Sequence, residues 1–451
     1  MIELGPEQIA EAAGAEIVAR GGDGHPGRAV VDSRQTGPGD LFVGLRGEHA
    51  DGGAFAEAAL EAGAWGVLVG TEHAAGLEGG WVLAAPDPLA SLGSLAREWR
   101  RQVGARVVGV TGSVGKTSVK DVCATLLPGS VHASPENYNT EIGLPLAVLE
   151  APATTDVLVL EMAMRGAGQI AELAAIAEPD VAVITNVGPV HVELLGSVEA
   201  IAAVKAEILA GLPADGAGVV PVDAGPLEPH LEGVPRLIRF GDGGDVEVLE
   251  RKVDDSGTEA LVSTPAGEQR FSFPFAEEYN LTNALAAIGA GIAIGVSPAE
   301  MSGQASSIRF SRLRGERVEL GDGVVLVNDS YNANPVSMRA ALDHLGSLRV
   351  DGRRIAVLGE MAELGPEAPG HHREVGAHAR EAGVDLLVGV GEAARDYAPD
   401  QLVADPTEAA ELLAPLLGSG DAVLVKGSRA AGLELVAETL PALLEVERVE
   451  G

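Results

Sequence analysis

The chain has 451 residues, 46% of them hydrophobic, which is enough for about three domains of ~150 residues, each with a core of its own. Glycine (60 residues) and proline (26 residues) together stay below the ~25–30% share of low-complexity chains, so the composition excludes wholesale disorder and a collagen-like repeat. With 31 basic and 66 acidic residues the net charge is −35, which repels nucleic-acid backbones and anionic lipid. We therefore expect no nucleic-acid partner.

The sequence also argues against a membrane protein and against an oxidising compartment. Its longest nearly apolar stretch, residues 284–296, is shorter than the ~18 residues of a membrane-span candidate, so no membrane span is predicted. The single cysteine, Cys123, cannot form an intrachain disulfide, and the first residues lack the basic and apolar segments of a secretion signal. These features favour the cytoplasm.

Short β-branched runs alternate with helical stretches rich in alanine, leucine and glutamate along most of the chain. This pattern predicts an α/β fold with parallel sheets. We expect a small N-terminal α/β domain (1–86), a larger central parallel-sheet domain (87–312) and a C-terminal Rossmann-like domain (313–451). The predicted strands are 29–31, 41–43, 66–69, 107–110, 157–160, 181–184, 324–327, 355–358, 386–390 and 422–425, with hairpins after residue 241; predicted helices include 55–62, 198–209 and 283–294.

A glycine-rich loop between a predicted strand and a predicted helix is the strongest local signal. Its glycines let backbone N–H groups approach a phosphate, the helix N-terminus favours negative charge, Lys116 can reach the terminal phosphates, and the Thr117 hydroxyl can bind Mg²⁺. Two residues separate the first glycine from Gly-Lys, whereas the usual P-loop has four. An ordinary strand-to-helix turn is the alternative, but strand, Gly-Lys-Thr and helix together favour nucleotide binding and a P-loop ATPase-like central domain. The loop residues are Thr111, Gly112, Ser113, Val114, Gly115, Lys116 and Thr117.

Two more predicted strands of the central domain end in polar side chains. Glu161 closes the strand 157–160, and Asn186 and His191 follow the strand 181–184. Because parallel strands present their carboxyl ends at one edge of the sheet, Glu161 and His191 are candidate Mg²⁺ ligands beside the phosphate site. Taken singly, a solvated glutamate and a structural histidine are the alternatives.

Lysine is scarce, since only Lys116, Lys120, Lys205, Lys252 and Lys426 occur in the chain. Three of these five lie in the strings that carry chemistry. Lys205 falls in the predicted helix 198–209, where a solvated helix face is the reading that the residues alone favour. An ammonium beside Mg²⁺ would be repelled, so a lysine at such a site must contact phosphate, pair with a carboxylate or change its charge.

Two strings in the third domain carry more polar residues than packing requires. VNDSYNANP ends a strand, with Asn334 and Pro335 as natural N-cap and N1 residues of the next helix. Capping does not account for Asp329 and Tyr331. LVKGSR ends the last predicted strand with cationic side chains in a loop, which suggests an anion held at the domain boundary.

These strings together resemble the Mur ligase family, ATP-dependent amide ligases of peptidoglycan synthesis. The TGSxGKT form explains the shortened P-loop, because the family uses it. SYNANP, MAELG and VKGSR are similar to the members that add D-alanyl-D-alanine to a UDP-N-acetylmuramoyl tripeptide. Other matching strings are DSR and GDLFV in the first domain, NYNTEIGLP, EM, the stretch from His191 to KAE, NLTNALAA and GEMAELG.

The resemblance implies ATP and two Mg²⁺ ions. Lys116 and Thr117 match the residues that hold the β- and γ-phosphates and one ion, and Glu161 and His191 match magnesium ligands. Lys205 matches a lysine that the family carries as a carbamate formed with CO₂, an anion that can serve the second ion. The implied catalytic residues are Lys116, His191 and Lys205.

Further contacts follow from the same resemblance. Asn283 would contact adenine, Asp329 the ribose and Arg314 the phosphates, while Ser33 and Arg34 would belong to the uridine-nucleotide site. The remaining substrate-binding residues implied are Asn137, Asn139, Tyr331, Asn332, Asn334, Lys426, Ser428 and Arg429. The implied partners are two small molecules, the UDP-N-acetylmuramoyl tripeptide and D-alanyl-D-alanine, and we expect the chain to act as a monomer.

Three positions depart from the family pattern. Tyr279 stands where the family often has histidine, Thr140 where asparagine is frequent, and Gly53 where many members have histidine after Asp-Gly. Two other functions are the alternatives: a nucleotide-dependent switch that makes no bond, and a sibling ligase such as a folylpolyglutamate synthase or the ligase that adds the third peptide residue.

Overall fold

Four β-sheets organise the described part of the chain, which comprises residues 2–135, 137–189, 192–254 and 256–450 of the computed structural model. For residues 192, 193 and 445–450 the description covers the backbone alone. Three sheets are mostly parallel and the fourth has three antiparallel strands. The predicted α/β fold is confirmed. Among the described residues, no helix is both long enough and apolar enough to span a bilayer.

The N-terminal region forms a small sheet with two helices. Its elements are α1 (Pro6–Ala13), β1 (Glu16–Ala19), β2 (Ala29–Val30), β3 (Leu41–Val43), α2 (Ala56–Glu61), β4 (Gly66–Gly70) and β5 (Trp81–Ala85). The strand order is β1-β5-β4-β3-β2, with β1 antiparallel to β5 and the other pairs parallel. The loops after β2, β3 and β4 therefore share one edge of this sheet, and the loop after β2 carries Ser33 and Arg34.

Helix α3 (Pro88–Val103) connects this sheet to the next one. The Asp87 carboxylate accepts the backbone N–H groups of residues 89 and 90, and Gly104 ends the helix in the left-handed conformation at φ +68°. The helix is amphipathic and buries one face, which includes Leu92, Leu95 and Trp99.

The central region is built on a six-stranded parallel sheet. Its elements are β6 (Arg106–Thr111), α4 (Lys116–Leu126), β7 (Val131–Ala133), α5 (Gly143–Glu150), β8 (Val157–Glu161), α6 (Gln169–Ala177), β9 (Val181–Ile184), α7 (Val192–Leu195), α8 (Val198–Ala206), β10 (Ala217–Pro221) and β11 (Leu237–Phe240). The strand order is β11-β10-β9-β6-β8-β7. Strands β6, β8 and β9 are almost continuous buried runs of valine, leucine and isoleucine, as expected for a sheet covered on both faces.

The register of this sheet brings three loops together. Val110 of β6 pairs with Glu161 of β8, and Thr111 of β6 pairs with Ile184 of β9. The carboxyl ends of the three strands therefore lie side by side, and the glycine-rich loop starts between the other two ends. The order β9-β6-β8 is what places Glu161 beside the start of α4.

Antiparallel strands and two helices complete the central region. They are β12 (Glu247–Asp254), β13 (Gly257–Ser263), β14 (Gln269–Phe273), α9 (Glu278–Ala293) and α10 (Pro298–Ser302). The hairpins predicted after residue 241 are thus present. Helix α9 begins five residues earlier than predicted and packs against α4.

The C-terminal region has its own six-stranded sheet. Its elements are β15 (Glu316–Gly321), β16 (Val324–Asn328), α11 (Pro335–Ser347), β17 (Arg354–Leu358), α12 (Ala368–Glu381), β18 (Leu386–Val390), β19 (Gln401–Val403), α13 (Pro406–Leu413), β20 (Ala422–Lys426) and α14 (Glu434–Glu450). The order is β15-β16-β20-β17-β18-β19, and only β15 is antiparallel to its neighbour. Strands β16 and β20 end side by side, so Asp329 and Lys426 lie at the same edge.

The central and C-terminal regions meet through a few polar contacts. The Asp121 carboxylate on α4 accepts the Ser311 backbone N–H at 2.8 Å, which holds the last residues of the central region just before the C-terminal region begins. His344 of α11 places Nε2 3.4 Å from a Glu277 carboxylate oxygen, and its ring meets Tyr279 edge-on. These contacts hold the polar edges of the two sheets against each other across a cavity.

Candidate active site

A cavity of about 690 Å³ lies between the central and C-terminal regions. Its walls come from the carboxyl edges of both six-stranded sheets and from the start of α9. The predicted site residues that line it are Ser113, Val114, Gly115, Lys116, Thr117, Asn139, Glu161, Asn283, Arg314, Asp329, Tyr331, Asn332, Asn334 and Lys426. Residues that are more than 300 positions apart in sequence thus line the same cavity.

The loop between β6 and α4 has a conformation that requires glycine. Gly112 and Gly115 have φ of +153° and +83°. A Cβ on Gly112 would overlap the Thr185 hydroxyl, and one on Gly115 would overlap the Asn283 side chain. Both glycines are therefore needed for close packing as well as for the turn.

The loop after β9 supports the glycine-rich loop from one side. The Ser113 hydroxyl accepts the Gly188 N–H at 2.9 Å and donates to the Gly188 carbonyl at 3.1 Å. The Asn186 side-chain oxygen accepts the Val114 N–H at 3.0 Å, and the Thr185 hydroxyl donates to the Val114 carbonyl. These bonds fix the backbone that would surround a phosphate before any ligand arrives.

Glu161 is the buried carboxylate at the centre of the site. It is 2% exposed, and its two oxygens accept hydrogen bonds from the Thr117 hydroxyl at 2.7 Å and the Asn139 amide at 2.8 Å. Its backbone N–H donates to Ser134. A carboxylate and a hydroxyl at this distance are oxygen donors of the kind that Mg²⁺ prefers, so Thr117 and Glu161 fit a magnesium site.

Two lysines of the candidate site lie on different helices, α4 and α8. Lys116 donates to the Gly112 carbonyl at 2.9 Å, and burial lowers the pKa of its ammonium, an effect that Glu161 opposes and Arg314 strengthens. Lys205 at the end of α8 is 2% exposed. Burial, followed by the charge of Lys116, holds the pKa of Lys205 well below its ordinary value.

The solvated helix face that the residues alone favoured for Lys205 is wrong. Side-chain packing buries this lysine, and periodicity could not show it because α8 has apolar residues on most of its surface. Within the described residues, no carboxylate forms an ion pair with its ammonium. His191, the other candidate ligand from this part of the chain, lies outside the described residues.

The C-terminal region contributes a second group of charges. The Arg314 guanidinium stacks over the Tyr331 ring at 4.1 Å from its centroid, and its Nε is buried without a hydrogen-bond partner in the described chain. Lys426 donates to the Asp329 carboxylate at 2.6 Å and to the Asn332 carbonyl at 2.9 Å. Asp329 is therefore neutralised within its own domain, whereas Arg314 is available to an anion.

Capping by Asn334 is confirmed, since its side chain accepts the Ser337 N–H at 3.0 Å and Pro335 follows at N1. Arg429, expected to hold an anion together with Lys426, pairs instead with Glu434 at 2.7 Å. Arg34 pairs with Asp32 at 2.7 Å. The predicted site residues outside the cavity lining are Ser33, Arg34, Thr111, Gly112, Asn137, Lys205, Ser428 and Arg429.

Sequence reasoning missed several side chains that line this cavity, among them Thr185, Arg165 and Glu363. Thr185 supports the glycine-rich loop, and Arg165 and Glu363 face each other across the cavity at 3.8 Å. Thr185 could have been found from its place after a predicted strand. Arg165 and Glu363 lie in loops of different domains, and no local pattern joins them.

We expect Gly112→Ala to lower the affinity for ATP roughly tenfold to a hundredfold, because the new Cβ displaces Thr185 at a strained backbone position, a cost of ~1–3 kcal/mol. Gly188→Ala is the matched control, since its Cβ would lie 3.4 Å from Val336 and 3.8 Å from Ser113, ordinary packing distances. Titration with a fluorescent ATP analogue measures both. Equal affinity of the two variants would contradict the loop geometry.

Comparison with known proteins points to one family. The profile of the Mur ligase middle domain matches residues 110–291, and that of the Mur ligase glutamate ligase domain matches residues 313–429. The chain is 35% identical over 423 residues to the UDP-N-acetylmuramoyl-tripeptide–D-alanyl-D-alanine ligase of Bacillus subtilis, covering 91% of this chain and 92% of that protein.

Solved structures agree over nearly the full length. MurF from Acinetobacter baumannii superposes with a TM-score of 0.87 at 27% identity, covering 97% of this chain and 98% of that one. The MurF ligase from Thermotoga maritima in complex with ADP gives 0.82 at 31% identity, covering 93% and 98%. The three-domain α/β architecture and the use of ATP follow, and the chain belongs to the Mur ligase family.

Proposed function

We propose that this protein joins D-alanyl-D-alanine to a UDP-N-acetylmuramoyl tripeptide at the expense of ATP, in the synthesis of peptidoglycan precursors. The observation that carries the proposal is the cavity in which Lys116 and Glu161 of one domain meet Arg314 of the other. The relatives named as ligases of this reaction, which match over nine tenths of the chain, support it.

The site answers the chemical difficulty of making an amide from a carboxylate. A carboxylate is a poor electrophile, and its charge keeps it away from the ATP triphosphate. Transfer of the γ-phosphoryl group to the tripeptide carboxylate gives an acyl phosphate. The dipeptide amine then attacks the acyl carbon, the C–O bond to phosphate breaks, and phosphate leaves.

The chain's own residues serve this sequence in distinct ways. The loop backbone from Ser113 to Gly115 and the Lys116 ammonium would hold the β- and γ-phosphates. Arg314 would stabilise the charge that develops during transfer. Asn283 would contact adenine and Asp329 the ribose. Because Arg314 and Asp329 belong to the other domain, domain closure completes the site and excludes water that would hydrolyse the acyl phosphate.

We further propose two Mg²⁺ ions and a carbamate on Lys205. Bound Mg²⁺ would neutralise phosphate charge, with Thr117, Glu161, His191 and the carbamate as ligands. The carbamate forms when the neutral lysine amine attacks the carbon of CO₂ and one proton is released. The 2% exposure of Lys205, with no carboxylate partner in the described chain, supports this step because a buried ammonium would otherwise have no counter-ion.

The remaining proposals concern the substrates and the setting. The domains would comprise residues 1–86, 87–312 and 313–451. Ser33 and Arg34 would contribute to the uridine-nucleotide site, and the peptide contacts would come from Asn137, Asn139, Tyr331, Asn332, Asn334, Lys426, Ser428 and Arg429. The protein would act as a monomer in the cytoplasm, where ATP and nucleotide-linked sugars are available.

Phosphate release from ATP tests the function directly. We expect rapid release only when the UDP-muramoyl tripeptide and D-alanyl-D-alanine are both present, with one amide formed per phosphate. Lys116→Ala should abolish it, and Lys116→Arg should also fail because the bulkier guanidinium does not fit the place of a compact ammonium. Phosphate release that does not depend on the dipeptide would favour a nucleotide-dependent switch. Phosphate release only with an amine other than the dipeptide would favour a sibling ligase.

The carbamate has its own test. We expect Lys205→Ala to be nearly inactive, and a short carboxylic acid in the medium to restore part of the activity by occupying the vacated space as an anionic ligand. Lys252→Ala is the control, because Lys252 is 74% exposed on the antiparallel sheet. Full activity of Lys205→Ala without additive would refute the role. Rescue by a short amine and not by the acid would indicate a plain phosphate-binding ammonium.

A further inference from the structure

Arg165 is a cationic side chain of the cavity wall that has no role in the proposed chemistry. The described residues of the cavity wall include four cationic side chains, and the other three are Lys116, Arg314 and Lys426. Lys116 and Arg314 face the phosphate site, and Lys426 is occupied by Asp329 and a backbone carbonyl. The Arg165 side chain is 78% exposed, and a Glu363 carboxylate oxygen lies 3.8 Å from its guanidinium.

The backbone around Arg165 is fixed although its side chain is open to solvent. It lies four residues after Glu161, in the loop that leaves the phosphate-site edge of β8. The Gln169 side-chain oxygen accepts its backbone N–H at 2.6 Å and that of Gly166 at 2.9 Å. The guanidinium thus projects into the cavity from a loop whose backbone is held by these two hydrogen bonds.

Glu363 sits opposite on a loop that is held equally firmly. The Met361 N–H donates to His372 at 3.1 Å, and the Ala362 N–H donates to the Ser428 hydroxyl at 2.8 Å. Glu363 itself has φ +62°, a left-handed conformation that is strained for a residue other than glycine. Such strain persists where the surrounding structure imposes it, typically at ligand sites.

A contribution to the stability of the fold does not account for the ion pair between Arg165 and Glu363. Both side chains are exposed, by 78% and 44%, and an exposed ion pair at 3.8 Å contributes little to stability. The pair is therefore weak enough for another carboxylate to displace Glu363. Both peptide substrates of the proposed reaction carry carboxylates that the reaction does not consume.

We propose that Arg165 binds a carboxylate of a peptide substrate, which replaces Glu363 as its partner. This inference rests on the proposed function, and it names the residue that selects a free carboxylate. The carboxylate belongs either to the C-terminus of the dipeptide or to a side branch of the tripeptide. An arginine suits the role, because its planar fork matches a carboxylate with two hydrogen bonds.

Steady-state kinetics of the full-length Arg165→Ala variant test the proposal. KM is measured separately for ATP, for the UDP-muramoyl tripeptide and for D-alanyl-D-alanine, and again with D-alanyl-D-alaninamide, which lacks the terminal carboxylate. Arg270→Ala is the control, because Arg270 is also exposed and paired, with Glu250, but lies on the antiparallel sheet. Thermal unfolding checks that both variants are folded.

We expect Arg165→Ala to raise one peptide KM about tenfold or more, as for loss of a charge-assisted hydrogen bond, with the KM for ATP unchanged. If the dipeptide is the source, its KM rises to that of the carboxamide, whose KM does not change. If the tripeptide is the source, only its KM rises. Unchanged KM values would overturn the proposal. An equal rise in the KM values for ATP, the tripeptide and the dipeptide would also overturn it, because it would indicate that the ion pair holds the two domains together. A wild-type protein without ligase activity would instead refute the proposed function.

Discussion

The electrostatics of the cavity place a constraint on how the two domains come together. Lys116 and Arg314 line the cavity from different domains, and Lys205 lies buried outside its lining. Burial lowers the pKa of both lysines, and the charge of Arg314 adds to this effect on Lys116, as the charge of Lys116 does on Lys205. Of the carboxylates that line the cavity, Glu161 is the one whose charge acts on the Lys116 ammonium, and Asp329 is neutralised by Lys426. Bringing Arg314 towards Lys116 is unfavourable unless an anion lies between them. A polyphosphate supplies that anion, so nucleotide binding and domain closure are expected to favour each other.

The fold meets this constraint by opposing the carboxyl edges of two parallel sheets. In the central sheet, the order β9-β6-β8 places the glycine-rich loop between Thr185 and Glu161. In the C-terminal sheet, β16 and β20 end together and hold Asp329 against Lys426. Polar contacts join the two domains, such as the one between His344 Nε2 and the Glu277 carboxylate.

Much of the site could be predicted from sequence, because local patterns carried it. Strand, glycines and Gly-Lys-Thr predict the glycine-rich turn before α4, and the end of a buried strand predicts the position of Glu161 beside Thr117. Capping by Asn334 and Pro335 follows from residue preferences alone. Each of these depends on residues that are close in the chain or on the general geometry of parallel sheets.

The contacts that could not be predicted from the sequence depend on tertiary packing. The burial of Lys205 is set by neighbours of α8, and the stacking of Arg314 on Tyr331 joins residues on either side of a hairpin. In the N-terminal domain, His73 lies where a side chain at Gly53 would be, so the glycine at that departure from the family pattern leaves room for another residue's imidazole. No periodicity or propensity encodes such contacts, because each requires two distant segments to be placed first.

The rate of γ-phosphoryl transfer in a single turnover tests most directly whether Arg314 completes the phosphate site from the other domain. With ATP and tripeptide saturating, Arg314→Ala is expected to slow transfer by ~10²–10³-fold, the usual cost of removing a donor from developing charge. Arg312→Ala should transfer at the wild-type rate, because Arg312 is 78% exposed and pairs loosely with Glu438. Wild-type transfer by Arg314→Ala would contradict the convergence of charges from both domains on one phosphate.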